Sequence, residues 1–148
     1  MGDFDVLIPT QQVLEVIVLL TSMGWTARVR ALEALTDDCR AVRHTQAFRD
    51  SSGCELDLHW NILSGNPEAD ADNDFWEGAH EVKIQDLPTF TLNPKDQPLH
   101  VAAWEDAVRH VRWVADAMMI LKVAKSEIDW NRFLIQARKR QLVIPLRD

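Results

Sequence analysis

Glu55-Leu56-Asp57-Leu58-His59-Trp60 is the stretch from which the fold is read. Its side chains alternate: Leu56, Leu58 and Trp60 fall on one side together with Cys54, and Glu55, Asp57 and His59 on the other. Period-two alternation of this kind predicts a strand with one face in a core and one face polar. Immediately upstream, Val42 to Arg49 predicts a second strand, and Asp50-Ser51-Ser52-Gly53 supplies the turn of a hairpin. Further upstream, Asp3 to Ile8 predicts a short strand ended by Pro9, with Phe4 on one face and Leu7 on the other, so that both faces are expected to be covered. Thr10 is the expected N-cap of a helix from Gln11 to Met23. Val13, Leu14, Val16, Ile17, Leu19 and Leu20 make that helix apolar nearly all round, which predicts burial. Gly24 stands where a left-handed C-terminal residue is expected. Trp25 to Arg30 reads as extended, and Ala31 to Ala41 is open between short helix and loop.

Downstream, residues 61–74 read as a polar loop. Phe75-Trp76-Glu77 either opens a short helix or anchors that loop, and Glu81 to Leu92, interrupted by Pro88, predicts one or two short strands. From Pro94 the spacing becomes helical. Leu99, Ala102, Ala103 and Ala107 mark one helix, and Trp113, Ala117, Ile120, Leu121 and Ala124 a second. Asp129 caps a third, with Trp130, Phe133, Leu134 and Ala137 on its inner face. The expected class is α+β: a small mixed or antiparallel sheet with flanking helices over residues 1–93, then a C-terminal helical bundle over 94–148 that packs on it.

Composition limits the function classes. The chain has 148 residues, 47% hydrophobic and 26% charged, which excludes collagen-like, mucin-like and largely disordered readings. The longest apolar run, Val13 to Leu20, is broken by Glu15 and falls short of the ~20 residues that a bilayer demands. The opening residues carry no basic n-region, and two cysteines make no disulfide framework, so a reducing cytoplasm is expected. The net charge of -7 is uneven: residues 1–93 hold 6 basic against 16 acidic residues, and residues 94–148 hold 10 against 7. An acidic front half repels nucleic-acid backbones and suits carboxylates gathered around a divalent cation.

Asp3 and Asp5, two apart on one predicted strand, project from one face roughly 6–7 Å apart. Carboxylates that close repel unless one is protonated or a cation lies between them, and Mg²⁺ with its preference for hard oxygen ligands fits. Asp57, central on the polar face of its strand, is the third candidate ligand, with Glu55 and His59 as site neighbours. Such a trio serves phosphoryl and nucleotidyl transfer, where the carboxylate on the neighbouring strand also acts as general base. Taken alone Asp-x-Asp is a weak motif, and a strand end whose carboxylates face water is the commoner arrangement.

Other residues have plainer readings. Asp70-x-Asp72-x-Asp74, within the run Glu68 to Glu77, lacks the glycine and the glutamate of a calcium loop and reads as polar loop. His44, His59 and Cys54 do not make a zinc site, because Cys54 falls on the opposite strand face from His59. His100 and His110 read as surface histidines, and Trp60, Trp113 and Trp130 as packing. Arg138-Lys139-Arg140 complements a helix C-terminus.

Met-Gly-Asp-Phe-Asp-Val-Leu-Ile-Pro at 1–9, Met-Gly-Trp at 23–25, Glu-Leu-Asp-Leu-His-Trp at 55–60, Leu99-His100, Arg112-Trp113-Val114-Ala115-Asp116 and Asp129-Trp130 occur in the order of a known pattern. Over almost the whole chain this resembles the uncharacterised nucleotidyltransferase family of the polymerase-β-like superfamily. The resemblance implies Asp3 and Asp5 as the metal-binding pair, Asp57 as the third carboxylate, Mg²⁺ as cofactor, and a nucleoside triphosphate as substrate with a hydroxyl acceptor. It also implies a Gly-Ser or Gly-Gly phosphate turn ahead of the Asp-x-Asp strand, which this sequence does not contain. On that ground the fold is expected to be an incomplete nucleotidyltransferase-like one, with weak or absent activity in the chain as it stands. The alternative is a non-catalytic interaction module that dimerises over its exposed sheet edge.

Overall fold

The computed structural model describes residues 4–28, 43–63, 70–103, 112–123, 128–140 and 142, apart from the side chains at 102, 103, 112 and 113. Readings that fall on Met1, Gly2, Asp3, Ala31 to Ala41, Glu68, Ala107, His110, Ala124 and the side chains of Ala102, Ala103 and Trp113 lie outside the described residues. The class is α+β, with a small mixed sheet and five α-helices among the described residues. The chain divides into two compact units, Met1–Ala71 and Asp72–Asp148.

Among its described residues the first unit has a four-stranded sheet under one α-helix. Its strands are β1 (Phe4–Leu7), β2 (Thr26–Ala27), β3 (Thr45–Arg49) and β4 (Glu55–His59), in the spatial order β1-β4-β3-β2. β4 pairs antiparallel with β3 and parallel with β1. The β3–β4 turn is held by Asp50, whose carboxylate accepts from the Ser52 and Cys54 amides and the Ser52 hydroxyl. These bonds, led by that of the Ser52 hydroxyl, hold the Asp50 carboxyl below its ordinary range. Gly53 takes φ +87°, a backbone that side chains with a Cβ resist.

Helix α1 (Val13–Ser22) lies over the apolar face and ends at Gly24, whose φ is +88°. Val13, Ile17, Phe48, Leu58 and Trp60 form the buried core, with Val16, Leu20, Trp25, Ala27 and Leu56 packed around them. Each fully buried large side chain contributes about 1.5–3 kcal/mol. Three expectations are corrected here. β1 is an edge strand and is not covered on both sides, since Phe4 stays 61% exposed. Only the Val13/Ile17 stripe of α1 is buried, while Leu14, Val18 and Leu19 are exposed, because a narrow sheet covers a single helix stripe. Thr10 does not cap α1; it opens a 3₁₀ turn (Thr10–Gln12), and its hydroxyl donates to the Trp60 carbonyl.

The second unit contains α2 (Asn73–Glu77), the hairpin β5 (His80–Ile84) and β6 (Leu87–Thr91), then α3 (Gln97–Ala103), α4 (Arg112–Val123) and α5 (Trp130–Lys139). Gln85 and Asp86 turn the hairpin with φ of +49° and +66°, the left-handed pair of a type I′ turn. Pro88 is tolerated because a two-stranded ribbon is all edge. α3 packs against both α4 and α5.

In this unit Asp96 is 1% exposed and accepts from Arg132 Nε at 2.7 Å and Nη2 at 2.8 Å. The same Arg132 Nη2 also donates to the Asp74 carbonyl. The Asp129 carboxylate accepts from the Arg132 amide and caps α5 as expected. The inner face of α5 differs from the expected one. Ala137 is buried as expected, but Trp130 and Leu134 are half exposed, whereas Gln136 and Arg140 are buried. Polar anchoring turned the helix: Lys139 and Gln136 donate to Asp74, and the Arg140 guanidinium stacks 4.1 Å above the Phe75 ring. Arg138-Lys139-Arg140 therefore does more than meet the helix dipole. Burial pulls the Arg140 pKa below its ordinary value, against the opposing charges of Asp72, Asp74 and Asp96. On α4, Ala117 and Ile120 are half-buried and Leu121 is exposed.

Candidate metal centre

The polar face of the first sheet follows from strand parity. Residues paired directly across strands point to the same side, so one face carries rows at fixed spacing. Asp57 lies in register with Asp5 on β1 and with Ala47 on β3. His59 lies in register with Leu7 and Thr45, and Glu55 with Arg49. The opposite parity sends Leu58 and Phe48 into the core. One alternating strand thus supplies both a core layer and a chemical face.

Asp5, Asp57 and His59 come together on that face, each offering one ligand atom, and those atoms all lie within 4.8 Å of one another. The Asp5 carboxylate is more than half exposed, and its Oδ1 lies 3.1 Å from His59 Nε2. The His44 ring sits 5.9 Å from that of His59, centroid to centroid, tilted by 40°. The hydroxyl of Thr45, next to His59 in the register, is buried with no hydrogen-bond partner among the described residues. Two carboxylates and an imidazole in this space fit a divalent cation, with the oxygens suiting a hard one. Cys54 is exposed and is not part of the cluster. Asp3 lies outside the described residues.

Glu55, expected as a site neighbour, lies one row from Asp57 on the same face and is engaged there by two arginines. Its Oε1 receives Arg28 Nη1 at 3.5 Å and Arg49 Nη2 at 3.3 Å. Sequence reading left both arginines out, since only the strand register brings them to this row. The Asp70–Asp72–Asp74 run is not a cation loop either: Asp74 is engaged by Lys139 and Gln136. The Lys139 hydrogen bond is the main reason that the Asp74 carboxyl lies below its ordinary range, and Gln136 adds to it.

The second unit holds an open cleft of about 750 Å³ lined by His80, Lys95, Asp129 and Trp130 among others. Several of its polar groups are already used, since Asn93 bonds the Gly78 carbonyl and the Lys95 amide, and Asp129 caps α5.

A family model described as an uncharacterised nucleotidyltransferase matches residues 1–147. No curated protein and no solved structure matches the chain. No helix among the described residues is long and apolar enough to cross a membrane.

Proposed function

The chain belongs to the uncharacterised nucleotidyltransferase family, and on that premise we propose that it transfers a nucleoside monophosphate from a nucleoside triphosphate to a hydroxyl acceptor. Asp5 and Asp57, with Asp3 added from the sequence, are the residues that would hold Mg²⁺. The observation that carries this reading is the pairing of Asp5 with Asp57 on adjacent strands, with their oxygens and the His59 nitrogen within 4.8 Å. When bound, the cation supplies charge neutralisation along the phosphates and at the transition state.

The remaining chemistry falls to the side chains. Asp57 accepts the proton of the acceptor hydroxyl as its oxygen attacks the α-phosphorus; the new O–P bond forms as the bond to pyrophosphate breaks. His59 orients Asp5 through the 3.1 Å contact. The carboxylates keep their ligand oxygens on one face because the sheet fixes their backbones. The acidic net charge favours a small-molecule or protein acceptor over a nucleic acid.

Manganese, a spin-active stand-in for magnesium, tests the reading. Paramagnetic resonance should detect Mn²⁺ binding to the full chain, weakened more than about tenfold in Asp57→Asn and in Asp5→Asn. Unchanged binding in Asp57→Asn would sink the metal centre. The non-catalytic alternative draws on Phe4, Val6, Leu14 and Val18, all apolar and exposed. A dimer in light scattering together with no Mn²⁺ binding would favour that reading.

A further inference from the structure

We propose that Arg28 and Arg49 form an anion subsite beside the Asp5–Asp57 pair and take the outer phosphates of the nucleoside triphosphate. The proposal rests on the nucleotidyltransferase reading and assigns a substrate-binding role within it.

Register supplies the first argument. Arg49 lies opposite Glu55, one row of the polar face away from Asp57. That row is two residues along the strand, about 6.6 Å. A phosphate chain whose inner end meets the carboxylate-held cation reaches this row without leaving the sheet face. Ala47, opposite Asp57, places only a methyl group beside the path.

Charge supplies the second. Residues 1–71 contain five basic residues against eleven acidic ones, and every basic one is arginine. Two of the five converge on a single carboxylate oxygen, so that among the described residues two positive charges meet one negative charge at that corner. Arginine presents a planar fork of N–H donors that matches phosphate oxygens. The two guanidinium groups carry ten N–H groups between them, more than the single Glu55 carboxylate can accept.

Weakness of the existing pairing is the third argument. The Arg28 and Arg49 side chains are 61% and 57% exposed, and their contacts of 3.5 and 3.3 Å are longer than a strong charge-assisted bond. Exposed pairs of this kind add little to stability. Glu55 is thus a weak occupant of the two forks, one that phosphate oxygens can displace.

Calorimetry of the full chain with inorganic tripolyphosphate, first without metal and then with Mn²⁺, tests the subsite. The double variant Arg28→Gln/Arg49→Gln should bind tripolyphosphate about tenfold or more weakly. Glu55→Gln, which frees both guanidinium groups, should bind it more tightly. AMP, which has no outer phosphates, should show little change in any of these variants, and Mn²⁺ affinity should be unchanged in the double variant. A merely structural ion network would not move the Glu55 and arginine variants in opposite directions. The subsite is overturned if wild-type chain binds no tripolyphosphate, if the double variant with an unaltered circular-dichroism melt binds it as wild type does, or if Glu55→Gln weakens it. Loss of Mn²⁺ binding in Asp57→Asn alongside any of those results would remove the subsite and leave the transfer reading standing. Wild-type chain without Mn²⁺ binding, but with arginine-dependent tripolyphosphate binding, would remove the metal centre and keep the subsite.

Discussion

His59 sits 3.1 Å from Asp5 through Nε2, and an ionised carboxylate can only accept. In the proposed centre, where Asp5 would hold the cation as a carboxylate, Nε2 would therefore be the donor and the second Asp5 oxygen would be left for the cation. Partners of this kind fix the direction of a ligand oxygen, and removing them commonly costs about 10–100-fold in metal affinity. His59→Ala should lower Mn²⁺ affinity within that range. His59→Gln, which keeps an N–H donor at similar reach, should restore most of it. Equal loss in both variants would instead make the imidazole itself a ligand; no loss in either would leave His59 without a part in the centre. Asp57 and His59 were readable in the sequence because strand parity is local. Arg28 and Arg49 were not, since what places them beside Glu55 is strand register, and register depends on how the Asp50–Gly53 turn closes and how β2 meets β3.

At the scale of elements, local signals carried furthest where the physics is local. The hairpin of β3 and β4, the left-handed Gly24 and the Asp129 cap each depend on a few neighbouring residues. Which face of a helix is buried depends on the partner it meets, and there the pattern misled. Hydrophobic periodicity placed Trp130 and Leu134 inward on α5, yet Trp130 is 54% exposed. Contacts from Arg132 to Asp96 and from Lys139 and Gln136 to Asp74 rotate the helix to bring its polar side to α2 and the start of α3. This arrangement has a pH signature. Lys139 first, and Gln136 after it, hold the Asp74 carboxyl below its ordinary value of 3.8, so the folded state favours the ionised form. The resulting stabilisation is fully present above that ordinary value and is lost as pH falls from it through the lower folded value. Urea titrations of wild type and Asp74→Asn, followed by helical circular dichroism, should differ most near neutrality. The two should converge as the pH is lowered below about 4. A gap that stays constant with pH would show that Asp74 contributes through geometry alone.

For the whole molecule, charge decides which partners come near. The net charge is -7, and the two arginines that meet the single Glu55 are a local feature within an acidic segment. At physiological salt such a corner is felt over about 8 Å, close enough to hold a phosphate that has arrived but too short to draw in a polyanion. A long nucleic acid meets the summed field, and that field repels it. Ordinary non-specific binders gain affinity as salt is lowered, because each phosphate contact releases counterions. For this chain the trend should run the other way. Fluorescence anisotropy of a labelled DNA duplex should show no saturable binding at about 0.15 M salt and none on dilution to lower salt, where repulsion is less screened. Saturable binding that strengthens as salt falls would mean that the basic excess of residues 94–148, 10 basic against 7 acidic, acts as a separate cationic face. The acceptor class would then have to be widened to include nucleic acid. Without it, the acceptor hydroxyl is best sought on a small molecule or a protein side chain, where the acidic surface imposes no penalty on approach.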